Sequence, residues 1–317
     1  MDKSLISKRK DKCLKYKPNI MNRRNAIKNA ALATSGLLLN TTTFANKNQP
    51  NMEDDIRLKG TFKHSVSHWC YSKVPFEELC KTVKGFGMHS IELTGPEEWE
   101  IMKDYDLTCA IGWDKYPEGV NLDNFYSNPD NHEPLETYFK NLIPKAVKYG
   151  VKNLIVLSGQ RQSRTDYQNL INCKNGIRRI IKMAENNDIT ISMEYLNSKV
   201  DHPDHQFDNM EWGITLCEMI DSPNFKILYD IYHAQIMEGD VVATIRKYHE
   251  YISHYHTAGV PGRNEIDATQ ELNYRFIMEE IKKTGYTGFI GQEFIPTGKT
   301  QEEQLAALKE AVEICEV

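Results

Sequence analysis

The chain has 317 residues, of which 40% are hydrophobic and 10% aromatic, and this composition is sufficient for one large buried core. Residues 46–317 carry 29 basic and 42 acidic side chains, a net charge of −13. Such an acidic balance argues against a nucleic-acid surface, because that surface requires clustered Lys and Arg. Composition therefore excludes collagen-like and disordered proteins, and we expect a globular domain with no nucleic-acid partner.

The first 45 residues differ in charge from the rest, with ten Lys or Arg and two Asp. A basic stretch containing Arg23 and Arg24 precedes an uncharged run over 29–39 and a small-residue site that ends at Ala45. This order is typical of a secretory signal, and the paired arginines indicate the twin-arginine type. The uncharged run is too short to cross a hydrocarbon core of ~30 Å, so we expect no stable membrane anchor.

These features predict a twin-arginine-type signal peptide within residues 1–45, with Met21 as the start of translation and cleavage after Ala45. A linker over 46–61 follows it. The protein is then exported to the periplasm. The alternative interpretation is a basic tail ahead of a cytoplasmic enzyme.

Beyond this N-terminal extension, eight short runs of apolar or β-branched residues predict strands. They cover residues 64–70, 90–94, 107–111, 153–158, 189–194, 226–230, 252–256 and 289–293. Between them, apolar residues recur at helical spacing over 75–86, 135–149, 170–186, 212–220, 241–251, 272–283 and 301–315. This alternation of strand and helix predicts parallel βαβ units.

The number of predicted strands favours a closed barrel over an open sheet. Eight strands within residues 62–317 match the size of a (β/α)8 TIM barrel, whose typical length is about 250 residues. The runner-up is a doubly wound open sheet, but no G-x-G-x-x-G motif follows the first predicted strand. We therefore predict an α/β fold, a (β/α)8 TIM barrel over 62–317, with its chemistry at the carboxyl ends of the strands.

Four predicted strands end in a residue that can bind a metal: Glu194, Asp230, His256 and Glu293. Strand alternation places each of them last in the inward row of its strand, and they are separated by 36, 26 and 37 residues, about one βα repeat each. A single acid after a strand is usually a helix N-cap or an ion pair. Four such ends at one rim of a barrel predict a metal centre. Three carboxylates favour Mg²⁺ or Mn²⁺, whereas an imidazole favours Mn²⁺, Co²⁺ or Zn²⁺.

Other polar residues near the predicted strand ends have less specific interpretations. His254 lies one layer deeper than His256, and we expect a hydrogen-bonded core histidine or a residue that orients a ligand. His68, Glu92 and Trp113 end earlier strands and are expected to line the pocket. His202 and His205 lie in a polar loop, which is interpreted equally well as a lid or as a solvated loop.

Four segments around these residues resemble the hydroxypyruvate isomerase family. They are 193–198 (MEYLNS), 229–235 (YDIYHAQ), 254–263 (HYHTAGVPGR) and 291–294 (GQEF). Together they are quite specific for the wider xylose isomerase-like barrel superfamily, which also includes ketose 3-epimerases and inosose dehydratases. The resemblance spans most of residues 62–317. It departs at His256, where cytoplasmic hydroxypyruvate isomerases usually carry Gln and sugar epimerases carry His.

The resemblance implies a set of site residues. It implies that one divalent cation, Mn²⁺ or Mg²⁺ first and Co²⁺ or Zn²⁺ otherwise, is bound by Glu194, Asp230, His256 and Glu293. Glu194 and Glu293 would also transfer the substrate proton. His233 and Arg263 resemble the substrate-binding residues of the family.

The resemblance also implies an activity, the interconversion of an aldose and a ketose or the epimerisation of a sugar through an enediol intermediate. Hydroxypyruvate, converted to tartronate semialdehyde, or a related small hydroxy-carbonyl compound or sugar would be the substrate. Two alternatives remain open at this point. They are a keto-sugar or inosose dehydratase or lyase at the same metal site, and a non-catalytic exported carbohydrate-binding barrel. Relatives often form dimers or tetramers, so a homo-oligomer is compatible with the sequence.

Overall fold

We describe a computed structural model of the chain, which defines Leu58 and residues 60–317. The predicted signal peptide within 1–45 lies outside the described residues, as does the predicted linker apart from its last positions, so both stay predictions. Within the part of the chain that the structure describes, no helix is long and apolar enough to cross a membrane.

One parallel sheet of seven strands forms the centre of the fold. Its strands are β1 (Lys63–Ser67), β2 (Ser90–Glu92), β3 (Asn153–Val156), β4 (Thr190–Glu194), β5 (Phe225–Asp230), β6 (Ile252–Thr257) and β7 (Phe289–Gln292). Their order in the sheet is β2-β1-β7-β6-β5-β4-β3, and every neighbouring pair is parallel. Each of the seven coincides with a predicted strand.

The eighth predicted strand, over 107–111, is wrong as a regular strand, but this segment occupies the expected place in the barrel wall. Thr108 pairs with Ser90 of β2, and Gly112, the next residue after the segment, pairs with Leu154 of β3, both through isolated parallel bridges. The ladder is irregular partly because the Ala110 N–H donates to the side-chain hydroxyl of Ser90, at 2.8 Å, in place of a backbone carbonyl. We call residues 108–112 the seam. The seam joins the two outer strands of the sheet and closes the barrel.

Ten α-helices surround the strands in the described residues. They are α1 (Phe76–Gly85), α2 (Pro96–Lys103), α3 (His132–Tyr149), α4 (Asp166–Ile177), α5 (Ile181–Asn186), α6 (Met210–Ile220), α7 (Ile231–Met237), α8 (Val241–Tyr248), α9 (Tyr274–Lys283) and α10 (Gln301–Cys315). The predicted helix over 170–186 is interrupted and forms α4 and α5. The short helices α2 and α7 are additional to the predicted ones, and α7 begins directly after β5, next to a predicted metal ligand.

The two faces of the strands pack against different partners. Ile191 and Met193 of β4 belong to the main hydrophobic core between the sheet and the helices. Leu228 of β5 instead packs with Ile155 in a small separate cluster. Because side chains alternate along a strand, the small cluster lies inside the barrel, and the inward row of β5 ends at Asp230. The predicted alternation therefore places the candidate ligands inside the barrel mouth.

Candidate active site

The four predicted ligands meet at one rim of the barrel. They come from the ends of four neighbouring strands, β4 to β7, and are Glu194, Asp230, His256 and Glu293. One ligand atom from each lies within 4.8 Å of the others, and all four side chains are buried. They converge because parallel strands of a barrel deliver their carboxyl ends to the same face. We call this group the four-residue cluster.

The two carboxylate oxygens of Asp230 have different surroundings. Its Oδ1 accepts hydrogen bonds from the backbone N–H groups of Tyr232, at 2.8 Å, and His233, at 3.2 Å, and so caps α7. Its Oδ2 is buried and has no hydrogen-bond partner. Asp230 is thus a helix N-cap and a candidate ligand together, since the cap fixes the carboxylate and leaves Oδ2 for the cluster.

Glu293 is held by two donors from other parts of the chain. The indole Nε1 of Trp69 donates to Oε1, and Nη2 of Arg263 donates to Oε2, both at 2.8 Å. The guanidinium of Arg263 lies over the rings of Trp69 and Tyr232, with 5.1 Å and 5.6 Å to the ring centroids. These contacts fix the carboxylate of Glu293 at the edge of the cluster. Glu194 is less constrained, because its Oε1 has no hydrogen-bond partner.

His256 connects the four-residue cluster to a second buried carboxylate. Its Nδ1 lies 2.9 Å from Oε2 of Glu293 and 3.4 Å from Oε1 of Glu194, and its Nε2 lies 2.8 Å from Oε1 of Glu92. The other oxygen of Glu92 is 2.9 Å from Nε2 of His254. Glu92 therefore contacts His256 from behind, and His254 occupies the deeper position expected from the sequence.

Glu92 requires space that only a glycine on β7 leaves. A Cβ atom built on Gly291 would lie 2.1 Å from Oε1 of Glu92 and 2.8 Å from the ring of His256. Because no side chain fits there, Gly291 permits the close approach of the buried acid to the imidazole. The hydroxyls of Ser65 and Ser67 on β1 also donate to Glu92.

Burial and neighbouring charges shift the pKa values of the four cluster residues in different directions. Burial raises the pKa of Glu194, and the charge of Glu293 raises it further. Burial also raises the pKa of Asp230, to about 8, against the opposing effect of Arg263. For Glu293 the effect of burial is outweighed by His256 and Arg263, which hold its pKa well below the ordinary value. For His256, burial is outweighed by Glu293 and Glu92, which raise its pKa well above the ordinary value.

The donor atoms of the cluster fit a divalent cation. Two of its buried carboxylate oxygens have no hydrogen-bond partner, namely Oε1 of Glu194 and Oδ2 of Asp230. A buried polar atom without a partner costs about 1–3 kcal/mol, and both residues belong to the group whose ligand atoms lie within 4.8 Å of one another. Carboxylate oxygens with one imidazole suit Mn²⁺ or Mg²⁺, with Co²⁺ or Zn²⁺ as alternatives. The structure thus contains a group of buried acids and a histidine able to hold a metal ion, as expected.

A cavity of about 650 Å³ reaches the cluster at Glu194 and Glu293. Its wall is largely apolar and aromatic, with Arg263 and Lys115 as its charged groups apart from the two glutamates. Other lining residues include Trp69, Trp113, Tyr116, Leu157 and His202. Trp113 therefore lines the pocket as expected from the sequence, and His202 from the polar loop lines it too. Neither His68 nor Glu92 is among the described residues that line this cavity. Glu92 is buried behind His256, and the ring of His68 packs against that of Phe76.

The two predicted substrate-binding residues occupy different positions. Arg263 lines the cavity. His233 is fully buried one layer behind the wall, with its Nε2 3.6 Å from Oδ2 of Asp230 and its ring 5.4 Å from that of His202. Its contact with substrate stays a prediction.

Two residues of the site are missing from the sequence interpretation. Trp69, which donates to Glu293, lies two residues after the end of β1, and Asn197, which contacts His233, lies three residues after the end of β4. Both lie just after a strand, at the same rim of the barrel. The same position in the sequence identifies the other site residues.

The sequence matches a known family along most of its length. Residues 85–311 match the family model described as Xylose isomerase-like TIM barrel. The chain belongs to this family. The family assignment agrees with the closed barrel and with the position of the cluster at the carboxyl ends of the strands.

Curated relatives in this family are named isomerases. The chain is 28% identical over 243 residues to the 2-oxo-tetronate isomerase of Pectobacterium atrosepticum, and the match covers 73% of this chain and 91% of that protein. It is 31% identical over 115 residues to a human protein provisionally named hydroxypyruvate isomerase, a match that covers 36% of this chain and 42% of that protein. The predicted isomerase-class enzyme is thereby confirmed.

Solved structures share the fold. An AP endonuclease, family 2, from Brucella melitensis has a TM-score of 0.69 at 24% identity, covering 77% of this chain and 97% of that one. The 3-keto-D-glucoside 4-epimerase of E. coli has a TM-score of 0.67 at 15% identity, covering 80% and 98%. At these identities the similarity shows the fold alone, and it confirms the predicted TIM barrel.

Proposed function

We propose that the protein is a divalent-metal-dependent isomerase or epimerase that moves a proton between neighbouring carbons of a small hydroxy-carbonyl compound. Hydroxypyruvate, a related keto acid and a ketose are the candidate substrates. The observation that carries this proposal is the position of Glu194 and Glu293, which lie in the metal-binding cluster and also line the cavity.

The cation would be held by Glu194, Asp230, His256 and Glu293. When bound, a divalent cation polarises a carbonyl group and stabilises the negative charge that develops on its oxygen. Mn²⁺ or Mg²⁺ is our first choice, because three of the four donors are carboxylates.

Glu194 and Glu293 would move the proton. They come from β4 and β7, which are three positions apart in the sheet, so that they approach a bound substrate from different sides. One glutamate removes the proton from the carbon next to the carbonyl, which leaves an enediolate. The same or the other glutamate then returns the proton. Its return to the former carbonyl carbon, with transfer of the hydroxyl proton to the former carbonyl oxygen, gives the isomer, and its return to the opposite face of the carbon that it left gives the epimer.

Arg263 would hold the oxygens of the substrate. It lines the cavity and donates to Glu293, and its guanidinium lies over the rings of Trp69 and Tyr232. A planar guanidinium fits a carboxylate or a pair of oxygens through parallel hydrogen bonds. The relatives named 2-oxo-tetronate isomerase and hydroxypyruvate isomerase act, by their names, on keto acids, which supports a carboxylated substrate at this position.

The proposed cellular location is the periplasm, reached through the twin-arginine-type signal in residues 1–45. This part of the proposal rests on the sequence alone. Expression of the full chain with Arg23 and Arg24 replaced by Lys tests it. The two Arg→Lys substitutions should retain the protein in the cytoplasm. Continued export of the variant would contradict a signal of the twin-arginine type.

The experiment that tests the activity is solvent-deuterium incorporation. The protein, loaded with Mn²⁺, is incubated in D₂O with hydroxypyruvate, four-carbon keto acids, C5 and C6 ketoses and 3-keto sugars, and the products are followed by NMR. An isomerase or epimerase incorporates deuterium without changing the elemental composition of the skeleton. Loss of water from the substrate would establish the dehydratase or lyase instead. Absence of exchange with every compound would leave only the non-catalytic carbohydrate-binding barrel.

A further inference from the structure

We propose that Asn197 is a positioning residue that sets the tautomer of His233, so that Nε2 of His233 presents an N–H group, and not a lone pair, to the candidate cation site. The tautomer itself follows from hydrogen bonds in the structure. Its consequence for the cation rests on the proposed function.

The orientation of the Asn197 amide is fixed by its neighbours. Asn197 is fully buried just after β4. Its Oδ1 accepts hydrogen bonds from the backbone N–H groups of Val200, at 3.0 Å, and Asp201, at 2.9 Å. An amide oxygen only accepts and an amide nitrogen only donates. Nδ2 must therefore be the atom that faces Oδ2 of Asp201 and Nδ1 of His233, each at 2.6 Å.

This orientation determines where the proton of His233 lies. One N–H of Asn197 serves Asp201 and the other points at Nδ1 of His233, so Nδ1 has to accept. The carboxylate of Asp201 is 4.0 Å from Nδ1, beyond hydrogen-bonding distance, and cannot draw a proton onto that atom directly. An imidazole whose Nδ1 accepts a hydrogen bond is neutral and carries its one ring proton on the other nitrogen. The single ring proton is then on Nε2.

Nε2 of His233 faces the cluster. It is buried without a hydrogen-bond partner and lies 3.6 Å from Oδ2 of Asp230. A lone pair at this position would make His233 a further nitrogen donor beside the four-residue cluster, and added imidazole favours Zn²⁺ or Co²⁺ over Mn²⁺ or Mg²⁺. The N–H form removes this donor. It leaves a hydrogen-bond donor for Asp230 or for a substrate oxygen.

The network is also tied to the helix that carries His233. The hydroxyl of Tyr232, the preceding residue in α7, donates to Oδ2 of Asp201 at 2.9 Å. Asn197, Asp201, Tyr232 and His233 thus connect the loop after β4 to α7 through buried and partly buried hydrogen bonds. Such a connected group holds the ring of His233 in one orientation.

The proposal can be tested by exchanging the two side chains, as the double variant Asn197→Asp/Asp201→Asn. The carboxylate at 197 still accepts from the backbone of Val200 and from the new amide at 201, and this amide still reaches the hydroxyl of Tyr232. Only the group that faces Nδ1 of His233 changes, from a donor to an acceptor. The single variant Asp201→Asn is the matched control, because it leaves the Asn197 amide in place.

The readout is ¹⁵N NMR of the histidine rings in the metal-free protein, with the His233 signals assigned from His233→Gln. The native protein and Asp201→Asn should show an unprotonated Nδ1 and a protonated Nε2 at His233. The double variant should show a protonated Nδ1. A protonated Nδ1 in the native protein, or an unchanged tautomer in a folded double variant, would overturn the proposal. The measurement on the native protein decides the question even if the variant does not fold.

A second readout tests the consequence for the cation. The ratio of Zn²⁺ to Mn²⁺ affinity should rise on the order of tenfold in the double variant and stay unchanged in Asp201→Asn. If the tautomer is reversed and the ratio of Zn²⁺ to Mn²⁺ affinity stays unchanged, the N–H form is not what keeps His233 from binding the cation, and this part of the proposal is wrong. Neither readout requires turnover. Failure of the deuterium-exchange experiment with every substrate would therefore remove the proposed function and leave the assignment of the tautomer standing.

Discussion

Glu194 and Glu293 are chemically identical residues in unequal surroundings. Glu293 accepts hydrogen bonds from Trp69 and Arg263, whereas Oε1 of Glu194 has no partner. Two carboxylates whose surroundings separate their pKa values are the arrangement that divides acid from base work. The more firmly held Glu293 is the better candidate for the base that is ionised before substrate binds.

We therefore predict that Glu293→Gln keeps the fold and abolishes proton exchange, with a loss of at least about 10² in kcat. The amide oxygen can still contact a cation, but it cannot accept the substrate proton. Deuterium incorporation measures the loss, and the melting temperature checks the fold. The matched variant Glu265→Gln changes a glutamate that binds Thr297 at the surface and should retain activity. Unaltered exchange in Glu293→Gln would remove its assigned role.

His256 makes two different contacts, with the cluster through Nδ1 and with Glu92 through Nε2. Glutamine carries an acceptor oxygen and a donor amide at comparable reach, so it can serve both sides. We expect His256→Gln to retain the cation, and His256→Leu to lose it and to leave the buried Glu92 uncompensated. Isothermal titration with Mn²⁺ measures both. A metal-free Gln variant would show that the imidazole itself is required.

The individual site residues differ in how far the sequence reveals them. Asp230 and Glu194 end apolar strands, and the barrel rule places them at one rim. That Asp230 is both a helix cap and a candidate ligand cannot be read from the sequence, because the sequence does not show which oxygen accepts from α7. Glu92 is 164 residues from His256 in sequence, and its approach depends on the missing side chain at Gly291. Such contacts require the packed structure.

At the scale of elements, α6 packs through a glycine that ordinary helix propensity would disfavour. A Cβ at Gly213 would lie 2.4 Å from the ring of Phe207, which is fully buried. Gly→Ala in a helix usually stabilises by about 0.5–1 kcal/mol, but overpacking costs about 1–3 kcal/mol. We expect Gly213→Ala to lower the free energy of unfolding, because the ring has no room to move.

Urea denaturation measures this effect, and Gly85→Ala in α1 is the matched control. Gly85 is exposed, and nothing lies within 4 Å of its missing Cβ. The control should leave stability unchanged or raise it slightly. If Gly213→Ala were equally stable, the contact between α6 and Phe207 would not be tight in solution.

The loop between β4 and α6 contains a buried histidine that should make stability depend on pH. Burial lowers the pKa of His205 to about 3, and the neighbouring His202 and Arg161 act in the same direction. In the unfolded chain its pKa is ~6.5. The neutral ring therefore contributes stability that is fully present above pH ~6.5 and is lost as the pH falls towards 3, by at most about 1.4 kcal/mol per pH unit. His205→Asn should flatten this part of the urea-midpoint profile, and equal slopes in both proteins would contradict the assignment.

The apolar patterns in the sequence predicted most of the strands and helices. The elements that they predicted wrongly or missed have local causes. The segment 107–111 has the composition of a strand, but Ser90 takes the N–H of Ala110 out of the ladder. The helix α7 follows β5 without a loop, so its start is hidden in a motif that also supplies Asp230 and His233. Periodicity reports which face of an element is apolar, and it does not report a side chain that replaces a backbone partner.

At the scale of the whole molecule, cation binding should stabilise the fold. The four candidate ligands come from four neighbouring strands in the middle of the sheet, so a bound cation would connect these strands. A cation that binds only the folded chain adds about 2.7 kcal/mol at 100 times its Kd. For a barrel of this size we expect Mn²⁺ to raise the Tm by roughly 5–10 °C. Differential scanning fluorimetry measures the shift, and a chelator should reverse it. Glu194→Gln should reduce the shift, whereas no shift at saturating Mn²⁺ in the native protein would contradict the metal centre.

The seam has a consequence for how the barrel opens. Isolated bridges provide fewer mutually supporting backbone bonds than a continuous ladder, so local opening costs least free energy at the seam. The strands β4 to β7 are consecutive in the sheet, and the seam lies at its two outer strands, β2 and β3. The seam therefore pairs with none of the four strands that carry the candidate ligands, and it reaches the site through Glu92 at the end of β2. We expect local opening at the seam to leave the spacing of the four candidate ligands unchanged.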